Sequence, residues 1–450
     1  MLAARASTRR TVTQRVNSAA RSFATVVDSA GIKVASVDNN QPTSSVTFLL
    51  KAGSRYETKP GVAHALKNFS FKSTANRSAL GTVRESEIYG GVLSASLSRE
   101  HLALTAEFLR GDEQYFVDVL SSILLTTRFA RHEYNEYVLP TTHGEISSST
   151  PSANPSFQAI EIAHALAFHN GLGSSIIAPP HFEHHVSHED VRDFAKSIFG
   201  NRENLAVLGT GIDQGKLVGL VEKALSGLGG SAPASSSSST SSKYFGGETR
   251  VQADSAHGHG GPQTVFIGFG TAGSPPPASL SVLSSYLSPT PSLKWTSGTS
   301  PIASALASSG VPASVKVVYL PYSDAALFGF LVQGANGEAV AKAGKIAVDA
   351  LKSVSSGLKG DEWKKAVAKA KFAAASTLEG REGLVQILGG KVLAASGPST
   401  AAAVEETIKA LDRVDESAFA KTTSELVKAK PVFVAVGDVA SLPYADALGL

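Results

Sequence analysis

The feature that most constrains the fold is a strand–turn–helix pattern that occurs twice in the 450 residues. In the first copy the apolar residues 46–50 lead into Ala52-Gly53-Ser54, and a helical pattern follows. In the second copy residues 264–269 lead into Ala272-Gly273-Ser274, again followed by a helical pattern. Matching points lie about 220 residues apart, which is too long for a solenoid repeat and typical of two homologous domains.

A serine-rich segment separates the two copies. Residues 226–245 contain Gly229-Gly230 and a serine run that ends at Ser242. Such a segment cannot bury apolar area and is typical of a flexible linker. The predicted domains are therefore residues 24–225 and 246–450.

The order of the remaining patterns predicts an α+β fold, with two homologous α/β sandwich domains. Each domain should have an antiparallel-rich sheet with helices on one face, because strands precede helices and each half has two hairpins. Pro140 should interrupt one helix, and Ser187, Asp361 and Ser399 should cap others. The predicted strands are residues 26–37 (around Gly31), 45–51, 92–98, 101–109, 204–211, 264–269 and 431–438, and the predicted helices are residues 61–74, 84–90, 112–125, 133–146, 157–168, 188–199, 278–287, 337–354, 360–378 and 400–414.

Residues 1–23 differ in composition from the rest of the chain. They contain five arginines, several Ser and Thr, and no acidic residue. This composition predicts a mitochondrial transit peptide, and Arg21-Ser22-Phe23-Ala24 resembles a processing site that gives a mature start near Ala24. The alternative is a disordered basic tail that binds nucleic acid or acidic lipid.

Charge and composition exclude several function classes. The chain has 41 basic and 38 acidic residues. Without the five arginines of residues 1–23, 36 basic residues and 38 acidic residues are left. A near-neutral body without a basic stripe gives no case for nucleic-acid binding. The absence of cysteine excludes disulfides, thiolate metal sites and a cysteine nucleophile. No apolar run reaches about 18 residues, so we expect any membrane association to occur through partner subunits.

The strongest chemical signal is the helical pattern over residues 61–74. His64 and Asn68 are four residues apart and share a helix face, with Lys67 beside them. An inverted zinc motif, H-x-x-E-H, needs a carboxylate base and a second imidazole at these two later positions. An amide oxygen is a weak ligand and an ammonium repels the metal, so the sequence predicts neither a zinc site nor a catalytic centre here.

Residues 61–74, Gly-Val-Ala-His-Ala-Leu-Lys-Asn-Phe-Ser-Phe-Lys-Ser-Thr, resemble the motif helix of the pitrilysin/insulinase zinc peptidases. Active members read close to G-[LVI]-A-H-F-L-E-H-x-x-F-K-G-T. The resemblance implies two α/β sandwich domains facing each other around a cavity. It places His64 and Glu145 at metal-ligand positions, while Lys67 and Asn68 depart from the base and the second ligand. It thereby implies no catalytic residue, no bound metal and no cofactor. The residues alone favour a histidine hydrogen-bonded in a packed helix at His64 and a solvated helix carboxylate at Glu145.

Two other histidine groups are candidate metal sites. The segment His181-Phe182-Glu183-His184-His185-Val186-Ser187-His188 follows Pro179-Pro180 and is interpreted as a loop before a helix capped by Ser187. His257-Gly258-His259 lies in a glycine-rich loop next to the linker and is interpreted as surface. No dinucleotide fingerprint is present, because Gly209-Thr210-Gly211 has no correctly spaced third glycine.

Later segments resemble a mitochondrial branch of the same family, the core subunits of ubiquinol–cytochrome c reductase (respiratory complex III). The segments that carry this resemblance are residues 292–300, 320–329 and 431–448. It implies a non-catalytic structural subunit needed for assembly, peripheral on the matrix side of the inner membrane, with no redox centre of its own. The implied partners are core subunit 1 and the other subunits of a complex that is itself dimeric.

The sequence is also compatible with two rival functions. One is the non-catalytic, substrate-binding subunit of the mitochondrial processing peptidase, which carries a glycine-rich loop in its second domain. The matching residues 289–301 contain only Gly298, which disfavours that reading. The other is an active metallopeptidase, or half of one completed by a partner. Lys67 and Asn68 argue against an independent site, although a cavity shared with core subunit 1 would still bind a cleaved presequence.

Overall fold

The computed structural model describes residues 25–29, 31–38, 40–228, 241–253, 261–291, 300–358, 360–394 and 403–450. The predicted transit peptide, His257, His259, Ser399, residues 292–299 and most of the predicted linker lie outside these ranges. In the described part of the chain, no helix is both long enough and apolar enough to cross a membrane.

The first half forms a six-stranded sheet. Its order is β1-β2-β6-β3-β5-β4, and only β2 and β6 pair in parallel. The predicted strand region 26–37 is a hairpin of two strands that turns at Gly31, where φ is +86°. The strands are β1 Thr25–Ser29, β2 Ile32–Val37, β3 Thr43–Leu50, β4 Val92–Leu97, β5 Leu102–Leu109 and β6 Leu205–Thr210.

The second half repeats this plan in a five-stranded sheet of order β7-β11-β8-β10-β9. Again one pair is parallel, β7 with β11, and the other three are antiparallel. Each strand of the second sheet therefore has a counterpart in the first sheet, and β1 is an additional strand of the first sheet. The strands are β7 Gly247–Gln252, β8 Gln263–Ala272, β9 Ala313–Pro321, β10 Ala325–Gly334 and β11 Val432–Gly437.

Helices of each half pack on one face of that half's own sheet. In the first half Phe48 of β3 lies in one core with Phe69 and Phe116 from two helices. In the second half Ile267 of β8 lies in a core with Val340 of a long helix. The α-helices are α1 Val62–Phe69, α2 Ala79–Ile88, α3 Glu113–Thr126, α4 Leu139–Ser148, α5 Pro155–Phe168, α6 His188–Phe199, α7 Gln214–Ala224, α8 Ala278–Leu287, α9 Pro301–Ser309, α10 Gly337–Val354, α11 Asp361–Glu379, α12 Arg381–Ala394, α13 Ala403–Asp412 and α14 Glu416–Lys428.

The opposite face of each sheet is covered by a helix from the other half. Helix α5, in the first half of the chain, packs Ala163 and Phe168 in one core with Phe266 and Val434 of the second sheet. Helix α12, in the second half, places Val392 in a core with Ala35 and Leu208 of the first sheet. The α/β sandwich prediction is confirmed, but the expectation of helices on one face only is incomplete, because the two halves exchange helices.

Two local expectations were wrong. The helix over residues 131–148 is not broken at Pro140; a π-helical turn, Tyr134–Val138, precedes it. Proline has no N–H to donate to the carbonyl four residues earlier, and a wider turn accommodates that loss. Asp361 does not cap α11, because Gly360 is the cap residue and Asp361 is the first helical residue.

Candidate functional site

Helix α1 is held tightly at its start. Gly61 has φ +92°, and a Cβ placed there would lie 2.7 Å from the Ala178 Cβ, so the position favours glycine. The Gly61 N–H donates to Glu57 Oε2 at 3.1 Å, which satisfies one of the amides that a helix start leaves without a partner. Val62 and Phe69 are fully buried. The helix is therefore fixed in rotation, and the direction of His64 follows from it.

Helix α4 places Glu145 next to α1. The Glu145 carboxylate is in hydrogen-bond contact with the three polar side chains of the motif. His64 Nε2 lies within hydrogen-bond distance of Glu145 Oε2. The Lys67 ammonium donates to Oε1 at 2.5 Å, and Asn68 Nδ2 donates to Oε2 at 3.0 Å. Asn68 Nδ2 also donates to Thr142 Oγ1, one turn earlier on α4, at 2.9 Å. We call His64, Lys67, Asn68 and Glu145 the polar clasp.

The tautomer of His64 follows from its second hydrogen bond. The Ala178 N–H donates to His64 Nδ1 at 3.1 Å, so Nδ1 is an acceptor. A neutral imidazole then carries its proton on Nε2, the nitrogen that faces Glu145. His64 is 2% exposed. The prediction of a hydrogen-bonded histidine in a packed helix is confirmed.

Glu145 is not the solvated helix carboxylate that the residues alone favour. Its side chain is 35% exposed, and burial by itself raises the pKa of the carboxyl. Hydrogen bonds from His64, Lys67 and Asn68, together with the Lys67 charge, outweigh this effect and lower the pKa to about 2. The group is therefore ionised at neutral pH, with both oxygens engaged by neighbouring donors.

The clasp does not fit the zinc ion that the peptidase family uses. His64 presents an N–H rather than a lone pair, and Asn68 presents its NH₂ group rather than its oxygen. The Lys67 ammonium lies on the Glu145 carboxylate, where a cation would have to bind. The hydrogen bonds of the clasp connect α1 to α4.

The structure brings three of the residues 181–188 together and separates the others. Ligand atoms of His181, Glu183 and His184 lie within 4.8 Å of one another. Ser187 caps α6 through a capping box with Asp190, as the sequence predicts for the cap, and His188 begins that helix. His185 is outside this group.

Sequence reasoning missed an ion network that joins the two halves. Arg55 donates from Nη1 and Nη2 to the two Asp324 oxygens at 2.7 and 2.8 Å, and from Nη1 to Glu100 Oε1 at 2.9 Å. The Ser323 N–H donates to Glu100 Oε2 at 3.0 Å, and the Ser242 N–H donates to Asp324 Oδ2 at 2.9 Å. We call these residues the inter-half network. Its members are far apart in sequence, and no local pattern identifies them.

Comparison with known proteins defines the class. Residues 33–180 match the family described as Insulinase (Peptidase family M16), and residues 185–370 match the Peptidase M16 inactive domain. The chain belongs to this peptidase family, as the motif helix predicts.

Several similar proteins within the family carry the name "Cytochrome b-c1 complex subunit 2, mitochondrial". The protein of that name from Cryptococcus neoformans is 43% identical over 96% of this chain and 95% of its own length. The one from Yarrowia lipolytica is 35% identical over 96% of this chain and 98% of its own length. The human one is 28% identical over 93% and 90%. The chain is thus a member of the branch formed by these subunit 2 proteins.

Proposed function

We propose that this chain is a non-catalytic structural core subunit of mitochondrial respiratory complex III, the cytochrome b-c1 complex. The observation that carries the proposal is the 43% identity, over 96% of the chain, to a protein named as a subunit of that complex. The matched region also covers 95% of the length of this relative. The comparisons favour this function over a subunit of the processing peptidase.

The chain is a peptidase relative that is not an enzyme. Its match to a domain described as inactive accords with relatives that are named as subunits of the cytochrome b-c1 complex. We propose that the polar clasp is what replaced the active site: His64, Lys67, Asn68 and Glu145 have a structural role and bind neither metal nor substrate. The support for this is that each clasp side chain is already committed to another protein group.

We further propose where the subunit lies and what it contacts. The arginine-rich residues 1–23 would direct it to mitochondria and be removed, leaving residues 24–225 and 246–450 as two domains joined by the linker 226–245. The mature subunit would lie peripherally on the matrix side of the inner membrane. It would contact core subunit 1 and further subunits of a dimeric complex. The composition of residues 1–23 and the relatives' mitochondrial names support this assignment.

The main test is isolation of the endogenous assembly. The chain, tagged at its C-terminus in the genome, is purified in mild detergent and separated by native electrophoresis. We expect it to co-migrate with b- and c-type haem absorbance, and mass spectrometry to find core subunit 1 in the same band. A band that contains a single zinc peptidase subunit and no haem would instead support the processing-peptidase alternative.

Location and side are tested separately in isolated mitochondria. Alkaline carbonate is expected to extract the peripheral subunit from the membrane. Protease added to mitoplasts is expected to leave the subunit intact until the inner membrane is opened. N-terminal sequencing of the mature protein should place its start near Ala24. If protease digests the subunit in mitoplasts whose inner membrane is intact, the matrix assignment is wrong.

A third experiment tests the absence of catalysis. The purified chain is incubated with presequence peptides, with and without a chelator, beside its His64→Ala variant. We expect no cleavage that depends on His64. Chelator-sensitive cleavage that disappears in His64→Ala would overturn the proposed role of the clasp.

A further inference from the structure

A second group of potential metal ligands lies on the surface, in the turn that precedes α6. Phe182 is fully buried and anchors this turn in the core of the first half. His181 adopts the left-handed conformation at φ +60°, and a single 3₁₀ turn, Phe182–His184, follows it. With Phe182 directed inwards, His181, Glu183 and His184 are left on the outer side of the turn, where one ring nitrogen of each histidine and one carboxylate oxygen of Glu183 lie within 4.8 Å of one another.

The donor set matches a zinc site. Two imidazoles and one carboxylate are a ligand combination found in zinc sites that keep a fourth position for water. Ligand atoms around a tetrahedral zinc lie about 3.3 Å apart, given zinc–nitrogen bonds of about 2.0–2.1 Å. The side chain of His181 is 79% exposed and can rotate to close the remaining gap. Calcium and magnesium prefer all-oxygen sites, so the two imidazoles select a transition metal.

Glu183 supplies an independent observation. Its side chain is 26% exposed, but its Oε2 atom is buried and has no hydrogen-bond partner among the described residues. His143 Nε2 on α4 lies 3.6 Å from Oε2, and His181 Nδ1 lies 3.7 Å from the other oxygen, Oε1; both distances are too long for a hydrogen bond. A buried carboxylate oxygen without a donor is costly, and a metal ion at the turn would satisfy the carboxylate.

We propose that His181, Glu183 and His184 form a surface site for one divalent transition-metal ion, with zinc the best match. The site is separate from the polar clasp, because His64 is buried and already hydrogen-bonded on both nitrogens. The proposal does not depend on the function proposed above. It concerns a metal site elsewhere on the chain than the polar clasp, whose side chains are already hydrogen-bonded to one another.

The test is a titration of the tag-free full chain with zinc chloride by isothermal titration calorimetry. We expect one saturable site, and an affinity at least about 10-fold weaker in His181→Ala, His184→Ala and Glu183→Gln, since each removes one ligand. Titration with cobalt(II) should give the intense visible absorption of a tetrahedral nitrogen–oxygen site, and this absorption should be lost in His181→Ala.

Two matched variants control for non-specific binding. His185→Ala removes an exposed histidine of the same segment that lies outside the cluster, and His64→Gln removes the histidine of the clasp. Both should keep the wild-type affinity, and circular dichroism should show that all variants are folded. The proposal is overturned if zinc does not bind saturably, if the cluster variants bind as wild type, or if His185→Ala loses as much affinity as His181→Ala.

Discussion

At the scale of single residues, the site is governed by what surrounds Glu145. A carboxylate that would hold a cation in a zinc peptidase here accepts hydrogen bonds from Lys67, Asn68 and His64. The Lys67 ammonium supplies the positive charge that a metal would otherwise bring. Lys67 and Asn68, on one turn of α1, therefore link this helix to α4 through the Glu145 carboxylate.

Glu145→Gln tests the contribution of this contact. We expect the melting temperature at pH 7 to fall by about 2–4 °C, which corresponds to about 1 kcal/mol for a group that is one-third exposed. The folded-state pKa of about 2 lies below the ordinary value of 4.5, so the stabilisation is complete above pH 4.5 and is lost as the pH falls towards 2. The difference between wild type and variant should therefore shrink below pH 4.5.

The control for that measurement is Glu136→Gln. Glu136 is an exposed carboxylate in the same helical region. Its substitution by glutamine should leave the melting temperature within about 1 °C of wild type. Equal effects of the two variants, or a Glu145 effect that grows at low pH, would contradict the assigned role of the clasp.

At the scale of elements, helix starts follow local side-chain chemistry. Ser187 Oγ accepts the Asp190 N–H at 3.2 Å, while Asp190 Oδ2 accepts the Ser187 N–H at 2.9 Å. This reciprocal pair satisfies two amides at the start of α6. Lys59 Nζ donates to Asp190 Oδ1 at 2.7 Å and ties the cap to the loop before α1.

Ser187→Ala should remove one of these bonds and cost about 1 kcal/mol, the usual loss for a cap residue. We expect faster amide hydrogen exchange in the first turn of α6, with the rest of the molecule unchanged. Ser187→Asp keeps an acceptor at the cap and should retain most of the protection. If Ser187→Ala and Ser187→Asp exchange alike, the capping box does not stabilise this helix start.

At the scale of the whole molecule, the two halves are joined by helix exchange and by the inter-half network. Helix α5 covers the face of the second sheet that the helices of the second half leave open. Helix α12 covers the corresponding face of the first sheet. Neither half buries both faces of its sheet without the other. Stability of one half should therefore depend on residues of the other.

Phe168→Ala tests this dependence. Phe168 belongs to the first half of the sequence but is buried in the core shared with the second sheet, and its loss should cost about 3–5 kcal/mol. Hydrogen exchange should increase in β11 of the second half. Phe372→Ala removes a half-exposed phenylalanine from α11 and should have little effect. Exchange that increases only in the first half would contradict the packing described.

Asp324→Asn tests the inter-half network. The Arg55 side chain is 4% exposed, so weakening its bidentate partner should cost about 2 kcal/mol and increase exchange at the Ser242 and Ser323 amides. The exposed pair Lys342–Glu338 provides the comparison, and Glu338→Gln should leave the stability unchanged because solvent screens this pair. Similar effects of both variants would show that the network is no more stabilising than a surface pair.

Much of the local structure was predictable because its signals are local. Helices α6, α8 and α10 begin and end at the residues predicted from apolar periodicity, and Ser187 caps α6. The hairpin β9–β10 was not among the predicted strands. Strand β10 is buried along almost its whole length, and such a continuous apolar run lacks the alternation that distinguishes a strand from a buried helix.

The candidate site was predictable only in part. The sequence places His64, Lys67 and Asn68 on one helix face and identifies Glu145 by family resemblance, but it cannot give the hydrogen bond from Ala178 that fixes the His64 tautomer. That donor lies 114 residues away along the chain. The clustering of His181, Glu183 and His184 depends in the same way on the burial of Phe182 between them.

The sequence by itself determined the repeat of two α/β units, the positions of most helices and the replacement of two zinc-site residues, because periodicity, caps and motif spacing act over a few residues. The tertiary structure alone decided which donors fill the Glu145 carboxylate, which helix covers which sheet, and that Arg55 reaches Asp324 across 269 positions of the chain. Those contacts arise only when distant segments bury apolar surface together, and no short-range pattern specifies that meeting.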